Sequence, residues 1–101
     1  MSLKRDARTD ALFHSILSLH DVDECYQYFE DLCTVKELRD LAQRLQIAQL
    51  LDGGASYQQA AAEAGASSAT IGRVKRCLAY GAGGYRMMLD RLKKENIENG
   101  H

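Results

Sequence analysis

The sequence predicts an all-α fold of six helices, and three observations carry that reading. Apolar residues recur at three- and four-residue spacing along most of the chain, the pattern of one helical face. The segments they define open at Asp, Ser or Thr and stop at glycine, as helix N-caps and helix ends do. Proline and tryptophan are absent, and a composition of 46% hydrophobic and 27% charged residues is globular and leans helical.

The first helix is expected from Asp6 to about Leu19, where Leu12, Phe13, Ile16 and Leu17 share a face. Asp21 with Glu24 has the D-x-x-E form of a capping box and opens a second helix, with Cys25, Tyr28, Phe29 and Leu32 on one side. Thr34 with Glu37 repeats the device and starts a third helix that runs to about Asp52. Leu38, Leu41, Ala42, Leu45 and Ala48 make one face of it. Ile47, Leu50 and Leu51 widen that stripe beyond the roughly 100° a surface helix needs. A chain of 101 residues leaves much apolar surface uncovered when it folds, so such a helix predicts burial by a second copy in a homodimer.

Gly53-Gly54 ends the third helix. Ser56 with Gln59 caps a short fourth one to Ala64, Gly65 makes a tight turn, and Ser67 caps a fifth running to about Tyr80. Gly81-Ala82-Gly83-Gly84 breaks the chain before a last helix from Tyr85 to Lys94, which carries Met88, Leu89 and Leu92. Residues 4–94 are thus expected to form a single helical domain, with 95–101 as a C-terminal tail.

Several function classes find no support in the residues. Cys25, Cys33 and Cys77 form an odd set without CxxC spacing or a Cys/His cluster, which predicts reduced, packed thiols, no disulfide framework and no metal site. His14 and His20 have no ligand partner nearby and read as helix-surface residues. The glycine run lacks the spacing of a phosphate or dinucleotide loop and reads as a helix connector. No apolar run approaches the roughly 18 residues a membrane helix needs, and the N-terminus lacks a signal-peptide core, so the chain reads as cytoplasmic with no membrane partner. No carboxylate pair, nucleophile with a base, or cofactor loop is visible, so the chain reads as no enzyme.

Charge is unevenly spread. The net charge is -1, yet residues 1–66 hold six basic against eleven acidic residues, while 67–94 hold seven basic against Asp90 alone. A basic segment on an acidic chain is an electrostatic footprint for a polyanion, although many basic helix faces are only solvated. That segment overlaps a second signal. Between Tyr57 and Arg76 a small residue (Ala61), a turn glycine (Gly65) and two apolar residues (Ile71, Val74) fall at the offsets of a helix-turn-helix, with a cap on each helix. Two ordinary short amphipathic helices are the plainer alternative.

Stepping 100° per residue from Ile71, Val74 and Leu78 puts Ala69, Gly72, Arg73 and Arg76 on the opposite face, with Ser68 and Thr70 beside them. Alanine and glycine would let such a helix approach base edges, Arg73 or Arg76 could fork onto guanine or phosphate with Lys75 in support, and Ser67 with the first free amides could hold a phosphate oxygen. The expected partner is double-stranded DNA, read by a transcriptional regulator. A helical interaction or assembly module without operator specificity is the rival reading.

The stretch Gly65-Ala66-Ser67-Ser68-Ala69-Thr70-Ile71-Gly72-Arg73-Val74-Lys75-Arg76-Cys77-Leu78, together with Asp31-Leu32-Cys33-Thr34 and Leu41-Ala42-Gln43-Arg44, resembles the Trp repressor superfamily, and especially its YerC/YecD branch. The likeness covers Thr34 to about Leu92, and for that branch it extends through the first two helices. It implies a six-helix interlocked homodimer whose N-terminal helices wrap around one another and whose two heads reach successive major grooves. In the Trp repressor, tryptophan sits between the third helix and the reading helix. The resemblance carries its contacts onto Thr34, Arg44 and Arg73. Two departures stand beside them: Val74 replaces the glycine that makes room for the indole, and Cys77 replaces a ligand-contacting serine. The segment between Arg44 and Ser56 is also one residue shorter. No cofactor is expected, and an effector at Thr34, Arg44, Arg73, Val74 and Cys77 would be something other than tryptophan.

Overall fold

The computed structural model describes residues 3–98. Its six helices are α1 (Ala7–Leu17), α2 (Val22–Leu32), α3 (Val35–Asp52), α4 (Tyr57–Ala64), α5 (Ser68–Tyr80) and α6 (Gly84–Glu98), and no strand occurs among the described residues. They divide into two compact units, one up to Arg39 and one from Asp40 onward. None of the described helices is long and apolar enough to cross a membrane.

Local hydrogen bonds explain where the helices of the first unit begin. Asp6 accepts from the Thr9 amide at 2.7 Å, and that bond holds its carboxyl below the usual carboxylate range. Asp21 accepts from the Glu24 amide at 2.8 Å. The reciprocal half of the expected box does not form as read from the sequence: Glu24 accepts from the amide of His20, one residue earlier, at 2.8 Å. There the same carboxylate also meets the His20 ring at 3.2 Å, so one residue supplies it with two polar contacts. Thr34 and Glu37 do exchange both bonds, at 2.9 and 3.1 Å. α1 stops at Leu17 rather than Leu19 because the Ser18 amide and hydroxyl both turn back to the Ser15 carbonyl, tightening the last turn.

The Ser15 and Tyr28 hydroxyls, 2.6 Å apart, join α1 to α2. No described residue of this unit is buried. Phe13, Leu17, Val22, Tyr26 and Val35 are all exposed, Leu17 by 80%.

The second unit has the core. Ile47 and Ala48 of α3, Ala60 of α4, Ile71 and Val74 of α5 and Leu89 of α6 are buried together, with Leu50, Leu51, Ala61, Leu78 and Tyr85 packed around them. Each buried Ile or Leu side chain stabilises by about 1.5–3 kcal/mol over its exposed state. The fully buried small residue of α4 is Ala60; Ala61, expected at the crossing, is half-buried on the flank of the same core.

Two polar ties brace α3 in this unit. Gln43 donates to the carbonyls of Ala64 and Gly65 at 3.0 and 3.3 Å, satisfying the end of α4. Asp52 takes Arg86 at 2.9 Å and Lys93 at 2.6 Å, both from α6. α6 starts at Gly84 and continues past Lys94 to Glu98, so residues 95–98 of the expected tail are helical, and 99–101 lie outside the described residues.

Candidate nucleic-acid interface

α4 and α5 make a helix-turn-helix whose geometry follows from three local devices. Ser56 and Gln59 form a reciprocal capping box at 3.1 and 2.8 Å, which fixes the backbone entering α4. Gly65 has φ +64 and ψ 36, a left-handed conformation that a Cβ would strain, and its amide and that of Ala66 both return to the Ala61 carbonyl. Ser67 then caps α5 by accepting from the Thr70 amide at 3.2 Å.

The side chains of α5 separate by face as the 3.6-residue period requires. Ile71 and Val74 are buried and Leu78 is half-buried. Ser67, Ser68, Ala69, Arg73, Lys75 and Arg76 are exposed, while Thr70 and Gly72 are half-buried. Ser67 and Thr70 are coupled, their hydroxyls 3.1 Å apart, so the Ser67 oxygen already serves its own helix.

The charge is sorted as well. Among the described residues Arg86 and Lys93 are engaged by Asp52, and Arg86 also by Asp90. Arg73, Lys75 and Arg76 have no ion pair there. Three exposed cations on one helix with no carboxylate partner can neutralise phosphates without first breaking an ion pair.

Two residues that the sequence reading did not single out belong to this region. Tyr57, the first residue of α4, lies against α5: Lys75 Nζ is 5.0 Å from its ring centroid, and a Cβ placed on Gly72 would stand 3.0 Å from its hydroxyl. Tyr85 of α6 packs on the core, where burial pushes its phenol pKa up and the neighbouring Cys77 thiol adds to the rise, while Arg44 and Arg73 oppose it. Arg44, Arg73 and Cys77 are therefore each within electrostatic reach of Tyr85 in the second unit. Val74 beside them is buried in the core. Thr34 belongs to the first unit, where its hydroxyl accepts from the Glu37 amide. A tyrosine at a helix start and a tyrosine after a glycine run have no spacing signature, which is why only the fold brings them in. No group of His, Cys, Asp and Glu side chains able to hold a metal occurs among the described residues.

Similarity to known proteins agrees with this geometry. The chain is 53% identical over 95 residues to the uncharacterized protein YerC of Bacillus subtilis (strain 168), covering 94% of this chain and 91% of that one. A crystal structure of a candidate Trp repressor from Staphylococcus aureus superposes with a TM-score of 0.85 at 50% identity, over 88% of this chain and 89% of the other. A TrpR-like protein from Eubacterium eligens ATCC 27750 gives the same TM-score at 44% identity, over 88% and 92%. The sequence profile of the Trp repressor protein family matches residues 7–93, and the chain belongs to that family.

Proposed function

We propose that this protein is a sequence-specific DNA-binding transcription regulator that works as a homodimer. The observation that carries the proposal is the division of α5: its inner face is locked into the core by Ile71 and Val74, its outer face offers Arg73 and Arg76, and Lys75 is exposed on the flank, none of the three with an ion pair among the described residues. In this reading α5 enters the major groove, Ala69 and Gly72 give it a low profile, and Arg73 or Arg76 forks onto a guanine edge or a phosphate. Ser67, Ser68 and Thr70 surround the helix start, where free amides favour a phosphate.

The dimer is proposed from the first unit. Helices with no buried residue and a row of exposed leucine, valine and aromatic side chains need a cover, and a second copy supplies the same apolar surface in return. Residues 4–94 then act as one DNA-binding domain, and the two heads of a dimer predict a palindromic operator.

Selection from random duplex DNA followed by salt titration of the selected site tests the proposal. A recurrent palindromic sequence is expected, with affinity falling steeply as salt rises, by roughly 0.9 in log-log slope per phosphate neutralised. No enrichment and a flat salt response would favour the assembly module instead.

A further inference from the structure

The Tyr57 phenol spans one turn of the reading helix, from Gly72 to Lys75. Its hydroxyl would be 3.0 Å from a Cβ on Gly72, and its ring carries the Lys75 ammonium at 5.0 Å. The capping box of Ser56 and Gln59 sets the backbone just before it, so the ring starts from a fixed point at the head of α4. The ring is 40% exposed, so one side remains available to a ligand.

Gly72 is a mid-helix glycine, a position where glycine is costly relative to alanine. Its φ is not positive, so the backbone does not call for glycine. The space beside it is tight, because the Tyr57 hydroxyl would have to give by a few tenths of an ångström to admit a Cβ. Lysine is a flexible point charge with much rotamer freedom to lose, and a ring that holds the ammonium by cation–π attraction removes part of that loss before DNA arrives.

We infer that Tyr57 is a positioning residue of the DNA interface, holding Lys75 for a backbone phosphate and adding its own hydroxyl as a second donor, with Gly72 kept bare to admit that hydroxyl. This role rests on the proposed DNA binding.

The test is a set of variants, Tyr57→Phe, Tyr57→Leu, Lys75→Gln and Gly72→Ala, measured on a selected operator duplex across a salt series. Lys75→Gln should lower the salt slope by about one. Tyr57→Leu should weaken binding about 2- to 5-fold, the size of an exposed cation–π contact, and in its background Lys75→Gln should cost less than in the wild type. Tyr57→Phe keeps the ring and should leave the salt slope unchanged. Gly72→Ala should weaken binding in the wild type and lose that effect in the Tyr57→Phe background, where the oxygen it collides with is gone. In the free protein the Lys75 side-chain protons should be shifted upfield by the ring in NMR spectra, a shift that persists in Tyr57→Phe and vanishes in Tyr57→Leu.

Equal costs of Lys75→Gln with and without Tyr57 would overturn the role, as would a Lys75 resonance without the ring shift. A Gly72→Ala loss that survives in Tyr57→Phe would mean the glycine serves close approach to the bases instead. A wild type without salt-dependent duplex binding overturns the proposed function and this role with it; a wild type that binds while the Lys75 contribution ignores Tyr57 overturns this role alone.

Discussion

Arg86 of α6 donates to Asp52, the last residue of α3, across 2.9 Å, and Lys93 takes the other carboxylate oxygen at 2.6 Å. An acid at a helix C-terminus faces the negative end of the helix dipole, so Asp52 needs these cations where a surface acid elsewhere would not. The two bonds hold the Asp52 carboxyl well below the usual carboxylate range, with Arg86 the larger cause and Lys93 the smaller, and Asp52, followed by Asp90, raises the Arg86 guanidinium in return.

Acid should therefore loosen the tie between α3 and α6. A carboxyl with a depressed folded-state pKa contributes stability that is present above its unfolded value and is lost as pH falls toward the folded one. Thermal unfolding followed by circular dichroism should show Tm falling below about pH 4, and Asp52→Asn should lower Tm at neutral pH while flattening that acid limb. An Asp52→Asn protein with the same acid limb as the wild type would assign the pH dependence to other carboxylates.

The reading face is tested by substitutions that spare the core. Arg76→Ala should weaken a selected operator by about 1–3 kcal/mol with helicity unchanged, since the side chain is exposed and makes no ion pair in the fold. Ala69→Glu should be harsher, because it sets a bulky anion where α5 has to approach the duplex most closely. Unchanged affinity in both, with intact folds, would mean that another surface meets the DNA.

Oligomeric state is the next expectation. Light scattering at micromolar concentration should give twice the chain mass of 11.3 kDa. Leu17→Asp with Val22→Asp puts charge into the exposed apolar surface of the first unit, and should reduce the mass toward that of one chain. A compact wild-type monomer at that concentration would remove the reason for those exposed side chains.

Much of this fold is legible from sequence because its helix ends are chemically local. Asp21, Thr34, Ser56 and Ser67 each accept an amide three residues on, and that relationship depends on no distant residue. Where several local donors compete, the reading slips: the Glu24 carboxylate accepts from the His20 amide rather than from that of Asp21. Long-range choices were not legible. The basic stretch after Ser67 looks uniform in the sequence, yet Asp52 withdraws Arg86 and Lys93 from it, which leaves α5 with Arg73 and Arg76 on its outer face and Lys75 exposed on its flank. The tyrosine hydroxyl that would stand 3.0 Å from a Cβ on Gly72 comes from Tyr57, fifteen residues away, and no local pattern points to it. Ala60 is the fully buried alanine of α4 and Ala61 packs on the flank of the same core, because a helix turns 100° per residue and the spacing of small residues alone does not say how deeply each of two adjacent alanines is buried.

DNA binding by this protein should be independent of L-tryptophan. Val74 is 1% exposed, buried with Ile71 against Ile47 and Ala48 of α3, and its branched Cβ cannot swing clear within a helix. The space that the resemblance assigns to an indole is thus packed by side chains of the protein's own core. Tyr85 adds to this. Its phenol is half-buried on that core, within electrostatic reach of Arg44, Arg73 and Cys77, three of the residues that the resemblance assigns to a ligand. Packing of this kind can hold the angle of α5 without an effector, and adding one would require displacing a well-packed side chain. Calorimetric titration of the protein with L-tryptophan should show no saturable heat at micromolar concentration, and operator affinity should be the same with and without the amino acid. Tyr85→Ala provides the counterpart: it opens a gap against the core that holds α5, and should weaken operator binding in a way that a small phenol added in solution partly restores. Saturable tryptophan binding to the wild type that also tightens operator affinity would show that Val74 and Tyr85 yield to a ligand after all.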